Sequence, residues 1–140
     1  MRKEIINKYK INFENRIDKF NKIDKFPIME EGYLSLFLYG WNSRHITENL
    51  LPDIEQALLD SNSEFENGNE VISILIYQNN VIFYHFDDPP FSIPTVDFKE
   101  IVIGWRDFLL QRPLDGTKRS FLFLLKFFIS SLVCESRILA

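Results

Sequence analysis

Two apolar runs, Val71 to Tyr77 and Val81 to Phe86, flank the polar turn Gln78-Asn79-Asn80, and this arrangement constrains the fold more than any other stretch of the chain. Both runs are rich in β-branched and aromatic residues, which suit a pleated, half-buried surface. Asparagine tolerates positive φ, so Asn79-Asn80 is expected to form a tight hairpin turn. The runs do not alternate cleanly with polar residues, which predicts strands covered on both faces, by helices on both sides or by a helix on one and another chain on the other.

Beyond Asp87-Asp88-Pro89-Pro90, the spacing of Phe98, Ile101, Val102, Trp105, Phe108 and Leu109 predicts one continuous stripe on a helix. Thr95 is expected to cap that helix, with Asp97 placed favourably in its first turn. Gly104 should lower helix propensity by about 1 kcal/mol relative to alanine, which the stripe overrides.

Upstream, Ile6, Tyr9, Phe13, Ile17 and Phe20 recur at helical steps and predict a basic amphipathic helix ending near Asn21 to Asp24, ahead of Pro27. Tyr33 to Trp41 is short and aromatic, which favours a buried strand, with helical packing of so apolar a run as the alternative. Leu51, Ile54, Ala57 and Leu58 mark a helix with Pro52 in its first turn and an end near Asp60. Ser61 to Asn69 is polar and is read as an exposed loop. Phe121 to Val133 has the pattern of a last, Phe-rich helix at about residues 120–134. The expected fold is α+β: a small antiparallel sheet containing a hairpin at about residues 71–86, packed with amphipathic helices, in one domain spanning residues 1–140.

At 140 residues and 46% apolar content, with 14 phenylalanines, the chain can fill one core without disulfides or metal. Cys134 is the only cysteine, which points to a reducing compartment. The segment from Met1 to Lys8 is charged where a signal peptide is apolar, so export by that route is not expected. Phe121 to Cys134 is too short to span a bilayer, which takes about 20 residues, and it carries Lys126. A cytoplasmic location without membrane association follows as the expectation.

Charge is strongly segregated. Residues 1–27 hold 8 basic and 4 acidic side chains, residues 28–100 hold 2 and 13, and residues 101–140 hold 6 and 3. The acidic middle repels nucleic acid and favours a basic partner, raising association rate without deciding fold.

Chemistry-bearing motifs are sparse. His45, His85 and Cys134 do not make a metal-ligand pattern, and the isolated glycines form no phosphate-cradling loop. Two histidines could act as acid and base on a phosphodiester, but Asp87 and Asp88 beside His85 disfavour an anionic substrate. No catalytic, metal-binding or cofactor-binding residues are therefore assigned.

The segment Glu70-Val-Ile-Ser-Ile-Leu-Ile-Tyr-Gln-Asn-Asn-Val-Ile-Phe-Tyr84, followed by Phe91-Ser-Ile-Pro-Thr-Val-Asp-Phe98 and Trp105-Arg-Asp-Phe-Leu109, resembles immunity proteins of contact-dependent growth-inhibition and related polymorphic toxin systems. The resemblance covers about 42 of the 140 residues. It implies a non-enzymatic cytoplasmic inhibitor that binds the C-terminal domain of a cognate toxin, often a nuclease, and blocks its active site or substrate path. Charge and expected loop position then place Glu64, Glu66, Glu70, Asp87 and Asp88 at the partner interface. The alternative is a structural or adaptor protein that self-associates through its C-terminal helix.

Overall fold

The computed structural model describes residues 1–112 and the short strand at 118–119, and its fold is α+β. Strands β3 (Phe65–Gly68), β4 (Ser73–Ile76), β5 (Asn80–Tyr84) and β6 (Phe91–Pro94) form an antiparallel sheet in that order. A second sheet has the order β2-β1-β7, from β1 (Asn12–Ile17), β2 (Ile23–Ile28) and β7 (Lys118–Arg119), with β7 parallel to β1. The helices are α1 (Lys3–Tyr9), α2 (Gly32–Tyr39), α3 (Ser43–His45), α4 (Leu51–Leu59) and α5 (Thr95–Leu110), with a π-helical turn at Ile46–Leu50 joining α3 to α4. The expected Phe-rich helix at 120–134 lies outside the described residues.

The hairpin forms as expected, with Ile76 opposite Val81 and Ser73 opposite Tyr84. Its turn works differently. Neither Asn79 nor Asn80 has positive φ; among the described non-glycine residues that conformation belongs to Lys10, Asn21 and Phe86. The turn is closed by Tyr77 N–H, which donates to Asn80 O at 2.9 Å, and clasped from a distance by Thr95, whose hydroxyl donates to the Tyr77 carbonyl at 2.6 Å and whose N–H donates to the Asn79 carbonyl at 3.0 Å. Thr95 is therefore the first residue of α5 and a clasp on the hairpin. It does not cap its own helix, whose N-cap position is Pro94.

Of the two expected coverings, the one with helices on both sides does not form among the described residues. Burial alternates along β4 and β5, so among the described residues one face is sealed and the other remains partly open. On the sealed face Ile74, Ile76, Val81 and Phe83 are fully buried beside α4 and α5. Phe98, Ile101, Val102 and Trp105 supply the α5 stripe that the spacing predicts, and the Trp105 indole N–H donates to the Leu38 carbonyl at 3.0 Å.

The N-terminal helix stops much earlier than its periodicity suggests. Lys10 adopts φ 53°, its N–H and that of Ile11 return to the Ile6 carbonyl, and the chain leaves α1 as strand β1. Phe13 and Ile17, expected on a helix, lie on that strand, paired in register with Pro27 and Ile23 of β2. The β1–β2 turn is closed by Asp18, whose Oδ1 accepts from the N–H of Phe20 at 2.8 Å and of Lys22 at 2.9 Å, while Asn21 takes φ 62°. Asparagine and aspartate favour such turns because their side chains substitute for backbone partners.

Tyr33 to Trp41 is α2 and a short exit, not the expected strand. Glu31 provides the N-cap, accepting from Tyr33 N–H, and Leu34, Phe37 and Leu38 recur on the buried face. The run is so apolar that periodicity alone could not separate helix from strand. The expected loop at 61–69 contains β3, which pairs with β4 with Glu66 opposite Leu75. Pro52 does sit in the first turn of α4, and Leu51, Ile54 and Ala57 are buried as predicted.

The two sheets are tied through α1 and α5. Buried Asp97 accepts from the Tyr9 hydroxyl at 2.6 Å and from Lys8 Nζ at 2.9 Å. At the other end of α5, Lys25 of β2 donates to the carbonyls of Phe108, at 2.5 Å, and of Gln111. A cation there supplements the 3.2 Å cap bond from Gln111 N–H to the Phe108 carbonyl and complements the negative end of the helix. Among the described residues, no helix is long and apolar enough to cross a membrane.

Candidate functional site

The open face of the four-stranded sheet is built by the register of its strands. Side chains alternate between faces along each strand, so Glu66, Leu75, Ile82 and Ser92 fall on one outward row across β3, β4, β5 and β6. Ser73 and Tyr84 form the next outward pair, and Tyr77 follows the end of β4 on the same side. Leu75, Ile82 and Tyr77 are half-buried, whereas Glu66, Ser73 and Tyr84 are exposed. An apolar centre bordered by polar and acidic side chains is the pattern of a protein-binding face.

Glu64 borders this face. Burial, the nearby Glu64 carboxylate, Tyr84 and a hydrogen bond to Glu64 together raise the pKa of the Tyr77 hydroxyl above its ordinary value. Glu64, Tyr77 and Tyr84 thus belong to one electrostatic neighbourhood.

The five acidic residues expected at an interface divide into two groups. Glu64 and Glu66 belong to the open face, immediately before and within β3. Glu70, Asp87 and Asp88 occupy loops at the sheet end where β3 and β5 terminate, Glu70 in the β3–β4 connection and the two aspartates after β5. Glu66, Glu70 and Asp87 are exposed. Asp88 is already engaged: its Oδ2 accepts from the Tyr33 hydroxyl at 2.9 Å and lies 3.0 Å from His85 Nδ1.

That contact explains His85. Its side chain is fully buried beneath Phe86 and Tyr33, with ring centroids 4.7 and 5.5 Å away. Nδ1 faces Asp88, and Nε2 has no hydrogen-bond partner among the described residues. His45 is exposed on α3. One imidazole is sealed and the other faces solvent, so the pair does not present acid and base together to a bulky substrate. Among the described residues there is no cluster of three or more metal-ligating side chains.

Sequence reasoning missed Tyr33 as the anchor of the Asp88 loop and Tyr77 as part of the acidic face. Tyr33 had been placed on a strand. Tyr77 has a readable signal in its position at the hairpin end, directly after the last inward residue, Ile76. The chain matches no protein-family model, no curated protein and no solved structure.

Proposed function

We propose that this chain is a cytoplasmic, immunity-type inhibitor that binds the C-terminal domain of a cognate toxin of nuclease type and blocks its active site or substrate path. The observation that supports this reading most is the acidic open face. Glu64 and Glu66 border half-buried Leu75, Ile82 and Tyr77, and Glu66 has no cation within ion-pair distance among the described residues. A nuclease gathers positive charge to hold phosphate. An acidic surface can occupy that charge, while the apolar centre excludes water from the contact. Glu70, Asp87 and Asp88 extend negative potential along one end of the sheet and steer the encounter.

The test is to co-express the chain with any toxin-like domain found in its neighbouring reading frames. Rescue of growth and a stable complex between the purified proteins are the expected results. Reversing Glu64, Glu66 and Glu70 to lysine should slow association by about tenfold or more at low salt and flatten its salt dependence. No complex and no rescue would overturn the inhibitor reading, whereas rescue with unchanged association kinetics would remove the acidic face from it.

A further inference from the structure

Among the described residues, β6 is the last strand of its sheet, and the hydrogen bonding of its neighbours fixes which way its backbone points. Central strands of an antiparallel sheet bond alternate residues to opposite sides. The Thr95 N–H donates to Asn79 O at 3.0 Å, and two residues back along each strand lie the pairs Ile93 with Val81 and Phe91 with Phe83. Phe91 and Ile93 therefore direct their N–H and C=O groups toward β5. The N–H and C=O of Ser92 point away from the sheet.

They point into a groove. Its volume is ≈ 390 Å³, and one wall is made by all four residues of β6. Consecutive strand residues present side chains to opposite faces, so a groove that touches four in a row runs along the strand's edge. Tyr9, Lys8, Glu30 and Glu31 make the opposite wall. The Lys8 ammonium is neutralised by Asp97 at 2.9 Å. Among the described residues, the Glu31 carboxylate accepts only a 3.4 Å bond from Tyr33 N–H, and the exposed Glu30 carboxylate has no hydrogen-bond or ion-pair partner. Among the described residues, the groove thus offers an unpaired backbone edge, an apolar lining from Phe91, Ile93 and Tyr9, and net negative charge.

We propose that this groove binds an extended basic segment of another protein by strand addition to β6, with its backbone bonded to Ser92 and a lysine or arginine placed against Glu30 and Glu31. Main-chain bonds supply affinity in this mode, and side-chain pockets supply selectivity. Prolines bound the docking length. Pro89 and Pro90 precede the strand and Pro94 ends it, and none of them can donate a hydrogen bond, so about three residues of the incoming strand are held. A second copy of this chain is a poor occupant through either edge of this sheet, because β3 carries Glu66 and follows Glu64, and a second β6 brings its own Glu30 and Glu31. Prolines and charges at sheet edges commonly suppress such self-pairing. The inference is independent of the inhibitor reading, which concerns the open face and not this edge.

The probe is the blocked peptide acetyl-Lys-Val-Arg-Val-amide, titrated into the full-length chain while the Ser92 amide is followed by NMR. The expected result is saturable binding with protection of that amide from exchange. The Glu-Val-Glu-Val counterpart should bind about tenfold or more weakly, and methylating the peptide nitrogens that face Ser92 should abolish binding. Ser92→Pro removes the outward N–H without touching the β5 ladder and should abolish binding with the melting curve retained. Glu30→Gln with Glu31→Gln, distant from that ladder, should weaken it in a chain that folds normally. Equal binding of the acidic peptide, indifference to methylation, or a Ser92 amide already protected in the free chain would overturn the proposal.

Discussion

The Tyr9 hydroxyl donates to Asp97 Oδ2 at 2.6 Å, joining the end of the first helix to the first turn of the last described one across 88 positions of sequence. Burial alone would raise the Asp97 pKa. The hydrogen bonds from Tyr9 and Lys8, with the charges of Lys8 and Arg2, outweigh it and leave the carboxyl below its usual range. A carboxyl depressed in the folded state contributes stability that is present above its unfolded value, about 3.9, and lost as pH falls through the folded value. Tyr9→Phe removes one bond and leaves a buried acceptor short of a partner. It should cost about 1–3 kcal/mol near neutral pH and make the acid limb of the stability profile shallower. Urea unfolding midpoints across the acid range check both.

The same hydroxyl predicts the alkaline behaviour. Burial, followed by the hydrogen bond and charge of a neighbouring carboxylate, raises the pKa of Tyr9 beside Asp97 and of Tyr39 beside Asp24 far above the ordinary tyrosine value. Stability from a raised tyrosine is fully present below its unfolded pKa of about 10 and is lost as pH rises through the folded value. Spectrophotometric titration should show these two tyrosines ionising only together with loss of the folded circular dichroism signal. Their free ionisation in an intact fold would contradict the geometry.

Thr95→Val keeps the side-chain shape and deletes the hydroxyl bonded to Tyr77 O at 2.6 Å. The site is fully buried. A carbonyl left without this partner costs about 1–3 kcal/mol. Because the clasp holds the hairpin turn, amide exchange should quicken first around Gln78 to Asn80 and only later in the core of α5.

Lys25→Met retains most of the aliphatic stem but withdraws the ammonium from the carbonyls at the end of α5. Lys25 Nζ also lies 4.9 Å from the Phe108 ring centroid, so a cation–π contact is lost with it. Desolvation lowers the Lys25 pKa, and that cost offsets part of the gain from capping. A net loss of about 1 kcal/mol is expected, read as a melting-temperature drop of roughly 3–6 °C. No change in Tm would show that water replaces the lysine at no cost.

The elements legible in sequence were those whose local signals agreed with the tertiary outcome. The hairpin strands carry composition with a polar turn between them, the α5 stripe carries helical period, and both formed. Ile6 to Phe20 failed because helical spacing was the only signal, while the break fell at Lys10, a residue type that does not advertise a left-handed conformation. Asp18 and Asn21 could have revealed the turn between β1 and β2. The acidic character of the candidate face was readable, because charge needs no fold to be counted. The groove was not: its walls come from residues 8–9, 30–31 and 91–94, which only the folded chain brings together.

The π turn ahead of Pro52 links helix geometry to the way this chain tolerates change. Leu51 N–H reaches back to Ile46 O, five residues away, so the helix carries one residue more than a regular turn would hold. In a regular α-helix the Pro52 ring would press on the carbonyl of Glu48. The wider turn gives that ring room, while Ile46, Leu50, Leu51 and Ile54 all remain buried. The extra residue and the proline are therefore epistatic. Removing exposed Asn49 should be damaging alone and far milder with Pro52→Ala, and a double-mutant cycle on stability would reveal coupling on the order of 1–3 kcal/mol.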